Sequence, residues 1–110
     1  MSKLIISKKV EQLLYTIYPS LSNYPKAEKF SLTQSIKNNF FDLLKYLQLA
    51  NNVKSKRKHY LEVADGHLQT LKILFKLARN RKYISEGFFK NTDLSLTEIN
   101  KMLVGYIKST

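Results

Sequence analysis

The stretch RKHYLEVADGHLQTLKILFKLAR, residues 57–79, decides the fold. Its apolar residues Tyr60, Leu61, Ala64, Leu68, Leu71, Phe75 and Ala78 recur at steps of three and four. In a helix of about 3.6 residues per turn, that spacing lines them up on one stripe. The opposite stripe is Lys58, Glu62, Asp65, Gln69, Lys72, Lys76 and Arg79, mixed in sign at first and purely basic in its last turns. Cations near a helix C-terminus complement the helix dipole, so Lys76 and Arg79 have a structural reason to be there. Ion pairing with Lys58 and Lys72 is the expectation for Glu62 and Asp65, which share a helical face and could otherwise be read as an acid–base pair.

Working outward, the same periodicity recurs on both sides. Before it, Leu32, Ile36, Phe40, Leu43, Leu47 and Ala50 form one stripe, ending near Asn51-Asn52. Ser31-Leu32-Thr33-Gln34 fits the capping-box pattern and predicts a helix start at Ser31. Earlier still, Ile6, Val10, Leu14, Ile17 and Leu21, with Leu13 beside them, predict a helix from about Lys3 to Tyr18 or Leu21, ending or kinking near Tyr18 because Pro19 cannot donate its backbone bond. After it, Phe89, Thr92, Leu96, Ile99, Leu103 and Tyr106 keep one phase, predicting a continuous helix from about Ser85. Short connections force neighbouring helices to reverse. The predicted fold is therefore all-α, an antiparallel up-down four-helix bundle, with residues 1–110 as a single domain.

Composition agrees. Three glycines and two prolines in 110 residues leave few turns, hence long elements. Nineteen Lys and Arg against eight Asp and Glu give a net charge of +11, which suits a polyanion such as nucleic acid. Anionic membrane, an acidic protein and plain solubility are the other readings of that charge. Cysteine is absent, which excludes disulfides, thiolate metal sites and cysteine nucleophiles. The N-terminal run through Lys9 has only three successive apolar residues, too short for a signal core or a membrane span. A cytoplasmic protein is the expectation.

The chain offers little for catalysis. The only histidines are His59 and His67, and neither follows a Glu by three residues as a di-iron bundle requires. His67, on the core side of its helix, reads as a hydrogen-bonded structural residue. His59 beside the basic run reads as a phosphate contact or as a plain helix-start residue. Nucleophile elbows, phosphate-binding glycine loops and zinc-ligand clusters are missing. The expectation is a non-enzyme with no catalytic residue, metal or cofactor.

Two basic clusters are the candidate nucleic-acid contacts. Lys54, Lys56, Arg57 and Lys58 lie between the second and third helices, where cations oppose the helix dipole. Arg79, Arg81 and Lys82 close the third helix. In an antiparallel bundle the two clusters are about 30 Å apart, and Lys72 and Lys76 could link them as a stripe. Such residues contact phosphate and set affinity, not sequence specificity. Tyr15, Tyr46 and Tyr60 fall at core spacing and read as packing. Phe41 and Ile73 point away from the buried stripes, with Leu49 and Leu77 on the margins, and these form a candidate oligomer interface.

Certain motifs add a family resemblance. Tyr24-Pro25-Lys26-Ala27-Glu28-Lys29-Phe30-Ser31-Leu32-Thr33-Gln34-Ser35-Ile36 resembles the aromatic-Pro-Lys stretch of a bacterial four-helix-bundle superfamily. That superfamily includes the accessory variability determinant proteins of diversity-generating retroelements and the proteins encoded in ribosomal RNA intervening sequences. Leu61-Glu62-Val63-Ala64-Asp65-Gly66-His67-Leu68-Gln69-Thr70-Leu71-Lys72, then Leu77-Ala78-Arg79, then Ile99 to Ser109, look like the retroelement branch. The intervening-sequence branch carries a Pro-Ala-Asn-Ile-Ala-Glu-Gly stretch that the region Leu43 to Ala50 lacks. The resemblance implies a basic homo-oligomer, pentameric in the family, that binds reverse transcriptase and template RNA or its complementary DNA. It carries over to Arg79 as a basic contact. A general RNA-binding bundle of the intervening-sequence type and a structural oligomer without nucleic acid stay open beside it.

Overall fold

A computed structural model describes residues 2–110, with side chains described from Ile5 onward. Met1, where the N-terminal run begins, lies outside the described residues. Four helices follow one another: α1 (Ser2–Ser20), α2 (Leu32–Asn52), α3 (Arg57–Asn80) and α4 (Glu86–Lys108). Each packs against its neighbour in sequence, and α1 closes the ring against α4. The result is an antiparallel up-down bundle measuring 42 × 25 × 19 Å.

The apolar stripes meet in one contiguous core. Phe40 of α2 and Phe75 of α3 are fully buried and meet edge to face, ring centroids 6.4 Å apart. Burial of a side chain of this kind stabilises by about 1.5–3 kcal/mol, so these rings and their Ile and Leu neighbours carry the fold. His67 fills the structural role expected of it. Its Nδ1 lies 2.8 Å from Asn39 Oδ1, and its ring stacks on Tyr46 at 5.7 Å between centroids.

Helix ends agree with the sequence reading in one place and depart from it in another. The first helix passes Pro19 and ends at Ser20, two residues beyond Tyr18, before a tight turn over Leu21–Asn23. Pro19 has no amide hydrogen, so one backbone bond is lost, and only Ser20 follows it in the helix. Ser20 Oγ and Ser22 Oγ donate to the carbonyls of Ile17 and Pro19, and buried Ile17 and Leu21 hold the turn down. Second, Ser31 and Gln34 form no capping box. Ser31 Oγ donates to Glu28 Oε1 at 2.6 Å, and Gln34 pairs with Asn38 instead. Glu28, held in a turn over Lys26–Glu28, accepts from the Leu32 amide at 3.4 Å and takes over the cap. A carboxylate is the better partner for the positive end of a helix.

α4 runs unbroken from its Ser85 cap, whose hydroxyl accepts from the Phe88 amide at 3.1 Å. Arg79, Arg81 and Lys82 end α3 in a different way. The Tyr83 amide donates to the Ala78 carbonyl and the Lys82 amide to the Arg79 carbonyl, both at 2.9 Å, while Lys82 takes a left-handed φ of 63°. This is the Schellman termination, in a position that glycine usually occupies.

Candidate nucleic-acid interface

Connection topology decides which cations can act together. The α1–α2 and α3–α4 connections lie at one end of the bundle, and the α2–α3 connection at the other. Two contacts bind the first pair. Tyr83 Oη donates to Glu28 Oε2 at 2.8 Å, and the Tyr83 ring packs on Tyr24 with centroids 5.6 Å apart. Arg81 is close enough to help lower the Glu28 pKa, behind the larger effects of the Ser31 and Tyr83 hydrogen bonds. Arg81 and Lys82 are exposed there beside Lys26 and Lys29. Lys26 and Lys29 lie within the aromatic-Pro-Lys stretch and belong to neither basic cluster expected from the sequence. The lysine spacing of three with an apolar Phe30 after it was the available signal.

At the far end Lys54 and Lys56 occupy a tight turn over Lys54–Lys56, and with Lys58 they are exposed. Arg57 is not free with them. Its Nε donates to the Ala50 carbonyl at 2.8 Å and its guanidinium also reaches the Asn51 carbonyl at 3.3 Å. It caps the C-terminus of α2, where carbonyls lack helical partners. His59 is exposed beside Tyr60.

The stripe between the clusters is interrupted. Half-buried Lys72 donates to Thr97 Oγ1 at 2.9 Å, within the α3–α4 seam. Lys76 is exposed. Arg79 lies over the Phe89 ring, 4.1 Å from its centroid, so α4 orients it. The expected ion pairs of Glu62 and Asp65 are absent among the described residues. Asp65 instead accepts from Gln69 at 3.3 Å and from Asn100 at 2.8 Å. Asn100 across the α3–α4 seam and Gln69 one turn along α3 take the place of lysines at this carboxylate.

Apolar candidates divide between faces. Phe41 lies off the buried stripe and is 46% exposed. It lines an open surface groove with Leu14, Tyr15, Tyr18 and Pro19 of α1. Tyr15, read as core, is 67% exposed on the rim of that groove. Tyr46 and Tyr60 do pack on the core. Ile73 at 64% and Leu77 are exposed on α3, and Leu49 is half-buried.

Among the described residues no cluster of three or more His, Asp or Glu could hold a metal ion, and no helix is long and apolar enough to cross a membrane.

Comparison with known proteins adds the family. A solved structure of a protein of unknown function from the S23 ribosomal protein family of Bacteroides thetaiotaomicron superposes with a TM-score of 0.87. It is 18% identical and the match covers 98% of this chain and 99% of that one, a likeness of fold. No curated protein matches. The family model described as bAvd-like matches residues 4–110, nearly the whole chain. By that match, the chain belongs to the bAvd-like family, whose members are accessory proteins of the accessory variability determinant type.

Proposed function

We propose that this protein is a basic, oligomeric accessory protein of a diversity-generating retroelement. It binds reverse transcriptase together with template RNA or its complementary DNA and performs no chemistry of its own. One observation carries the reading: the chain has a net charge of +11, and among the described residues a single salt bridge, Lys9 to Glu98 at 2.6 Å, holds a cation against a carboxylate. Cations left facing solvent in clusters are the electrostatic footprint of a polyanion binder. Membership of the bAvd-like family supports the retroelement as the setting.

Lys54, Lys56 and Lys58 at one end, with Lys76, Arg79, Arg81 and Lys82 along and at the end of α3, are the phosphate contacts in this reading. The apolar surfaces support self-association. The Phe41 groove and the Ile73–Leu77 patch are different surfaces on different helices. Unlike patches suit a head-to-tail contact, and such contacts form a ring when the rotation between subunits closes. A pentamer of single-domain protomers is the proposed assembly.

The test is affinity for structured RNA and duplex DNA across a salt series. Binding that weakens steeply with salt, with a duplex slope of about −0.9 per phosphate neutralised, supports the proposal. Lys54→Glu, Lys56→Glu and Lys58→Glu together should abolish most of it without unfolding the bundle. Co-purification with a reverse transcriptase encoded beside this protein tests the partner. Absence of binding at low salt, to RNA and DNA alike, sinks the nucleic-acid role.

A further inference from the structure

Where α1 gives way to α2, the chain forms an open groove of about 480 Å³. Tyr18, Tyr24, Lys26, Lys29 and Lys37 line it, and no carboxylate does. One ring of the lining, Tyr18, and one adjoining it in sequence, Phe30, are exposed. Tyr18 is 46% exposed, with Lys37 Nζ 4.9 Å from the ring centroid. Phe30, next in sequence to Lys29, is 84% exposed and has Lys29 Nζ 5.3 Å from its ring. Phe30 therefore contributes almost nothing to the core. Tyr24 also lines the groove, and its hydroxyl is buried without a hydrogen-bond partner among the described residues.

We propose that this corner is a subsite for single-stranded nucleic acid, an inference that rests on the nucleic-acid role above and makes it more specific. One base stacks on Tyr18 and another on Phe30, while Lys26, Lys29 and Lys37 take the phosphates. Alternating aromatic faces and cations are what a single strand requires, since every base has a face and every linkage a charge. A duplex cannot use the rings, because its base faces are hidden in its own stack. In the free protein Lys29 and Lys37 rest on Phe30 and Tyr18 as cation–π pairs. Meeting a phosphate moves each ammonium aside and uncovers the ring for a base. An acidic peptide would use the same lysines and leave the rings idle, so dependence on the rings separates the two ligands.

Fluorescence anisotropy with a labelled oligouridine, and with a labelled DNA duplex as control, tests this on the full chain. Phe30→Ala and Tyr18→Ala should each weaken oligouridine binding by roughly 5- to 100-fold, the loss of one stacked base, and leave duplex affinity unchanged. Tyr18→Phe, which keeps the ring, should bind like the parent. Phe30 is too exposed for its removal to unfold the protein, so that variant reads binding alone. If the parent binds both probes and the alanine variants bind oligouridine equally well, this subsite is overturned while the broader role stands. Displacement of oligouridine by polyglutamate together with indifference to ring removal overturns it in favour of an acidic peptide. Failure of the parent to bind either probe overturns both proposals.

Discussion

Tyr83 Oη donates a 2.8 Å hydrogen bond to Glu28 Oε2 across a separation of 55 residues. That bond joins two connections that sequence order keeps far apart. It also brings the cations that close α3 beside those preceding α2. Glu28 accepts as well from Ser31 Oγ and the Leu32 amide, so one carboxylate caps a helix and clamps the end of the bundle.

Its hydrogen bonds with Ser31 and Tyr83 hold the Glu28 carboxyl below its ordinary 4.5, against a smaller opposing effect of desolvation. A carboxyl with a depressed folded-state pKa stabilises above its unfolded value. That contribution disappears as pH falls through the folded one. Urea denaturation on either side of this range should show the parent losing stability on acidification, and Glu28→Gln should lose less. Tyr83→Phe should cost about 1 kcal/mol at neutral pH. An unchanged acid profile in Glu28→Gln would falsify this role.

Removing the hydroxyl of Tyr24 should leave the protein at least as stable. The ring is buried, but the hydroxyl has no partner among the described residues, and an unpaired buried polar group costs about 1–3 kcal/mol. Tyr24→Phe should raise the midpoint of thermal unfolding. Burial also pushes the phenol up to about 12 from 10.0. The unfolded chain therefore ionises first, and stability falls as pH climbs between those values. Tyr24→Phe should lack that share of the alkaline loss.

Lys82 should trade stability for charge. A non-glycine residue in the left-handed region costs roughly 1–2 kcal/mol, and Lys82 sits there at φ 63°. Lys82→Gly should stabilise the bundle by about 1 kcal/mol, partly offset by the added freedom of the unfolded chain. If Lys82 contacts phosphate, the same variant binds nucleic acid more weakly at low salt. Calorimetry and a binding curve on one preparation read both. A drop in the melting midpoint refutes the strain argument.

Arg57 should behave differently from its neighbours in the basic run. Its two bonds to the Ala50 and Asn51 carbonyls join the end of α2 to the start of α3. Arg57→Ala should cost about 1.5–3 kcal/mol, the range for hydrogen bonds to a charged group. Nucleic-acid affinity should change much less than with Lys54→Glu, Lys56→Glu and Lys58→Glu. A variant of full stability and reduced affinity would return Arg57 to the binding surface.

Sequence alone determined the four helices, their order, their buried stripes and the size of the charge. Those features depend on residue spacing along one helix and on composition. Leu61, Ala64, Leu68, Leu71 and Phe75 are buried where their three- and four-residue steps put them. Their burial needs only that a neighbouring helix be present, whichever one it is. Tertiary structure decided everything that depends on a particular neighbour. Arg57 is a cap because the end of α2 lies beside it, and Lys72 is tied down because Thr97 faces it across a seam. Tyr15 is exposed because helical spacing narrows a residue to a flank and cannot say whether a neighbour covers it. Glu28, not Ser31 or Gln34, caps α2 because the turn at Lys26–Glu28 folds its carboxylate back over the helix. The meeting of Lys26 and Lys29 with Arg81 and Lys82 comes from the reversal of the chain at each connection, which puts alternate loops at the same end. Charge could be counted from the sequence, but its grouping into surfaces needed the packed bundle.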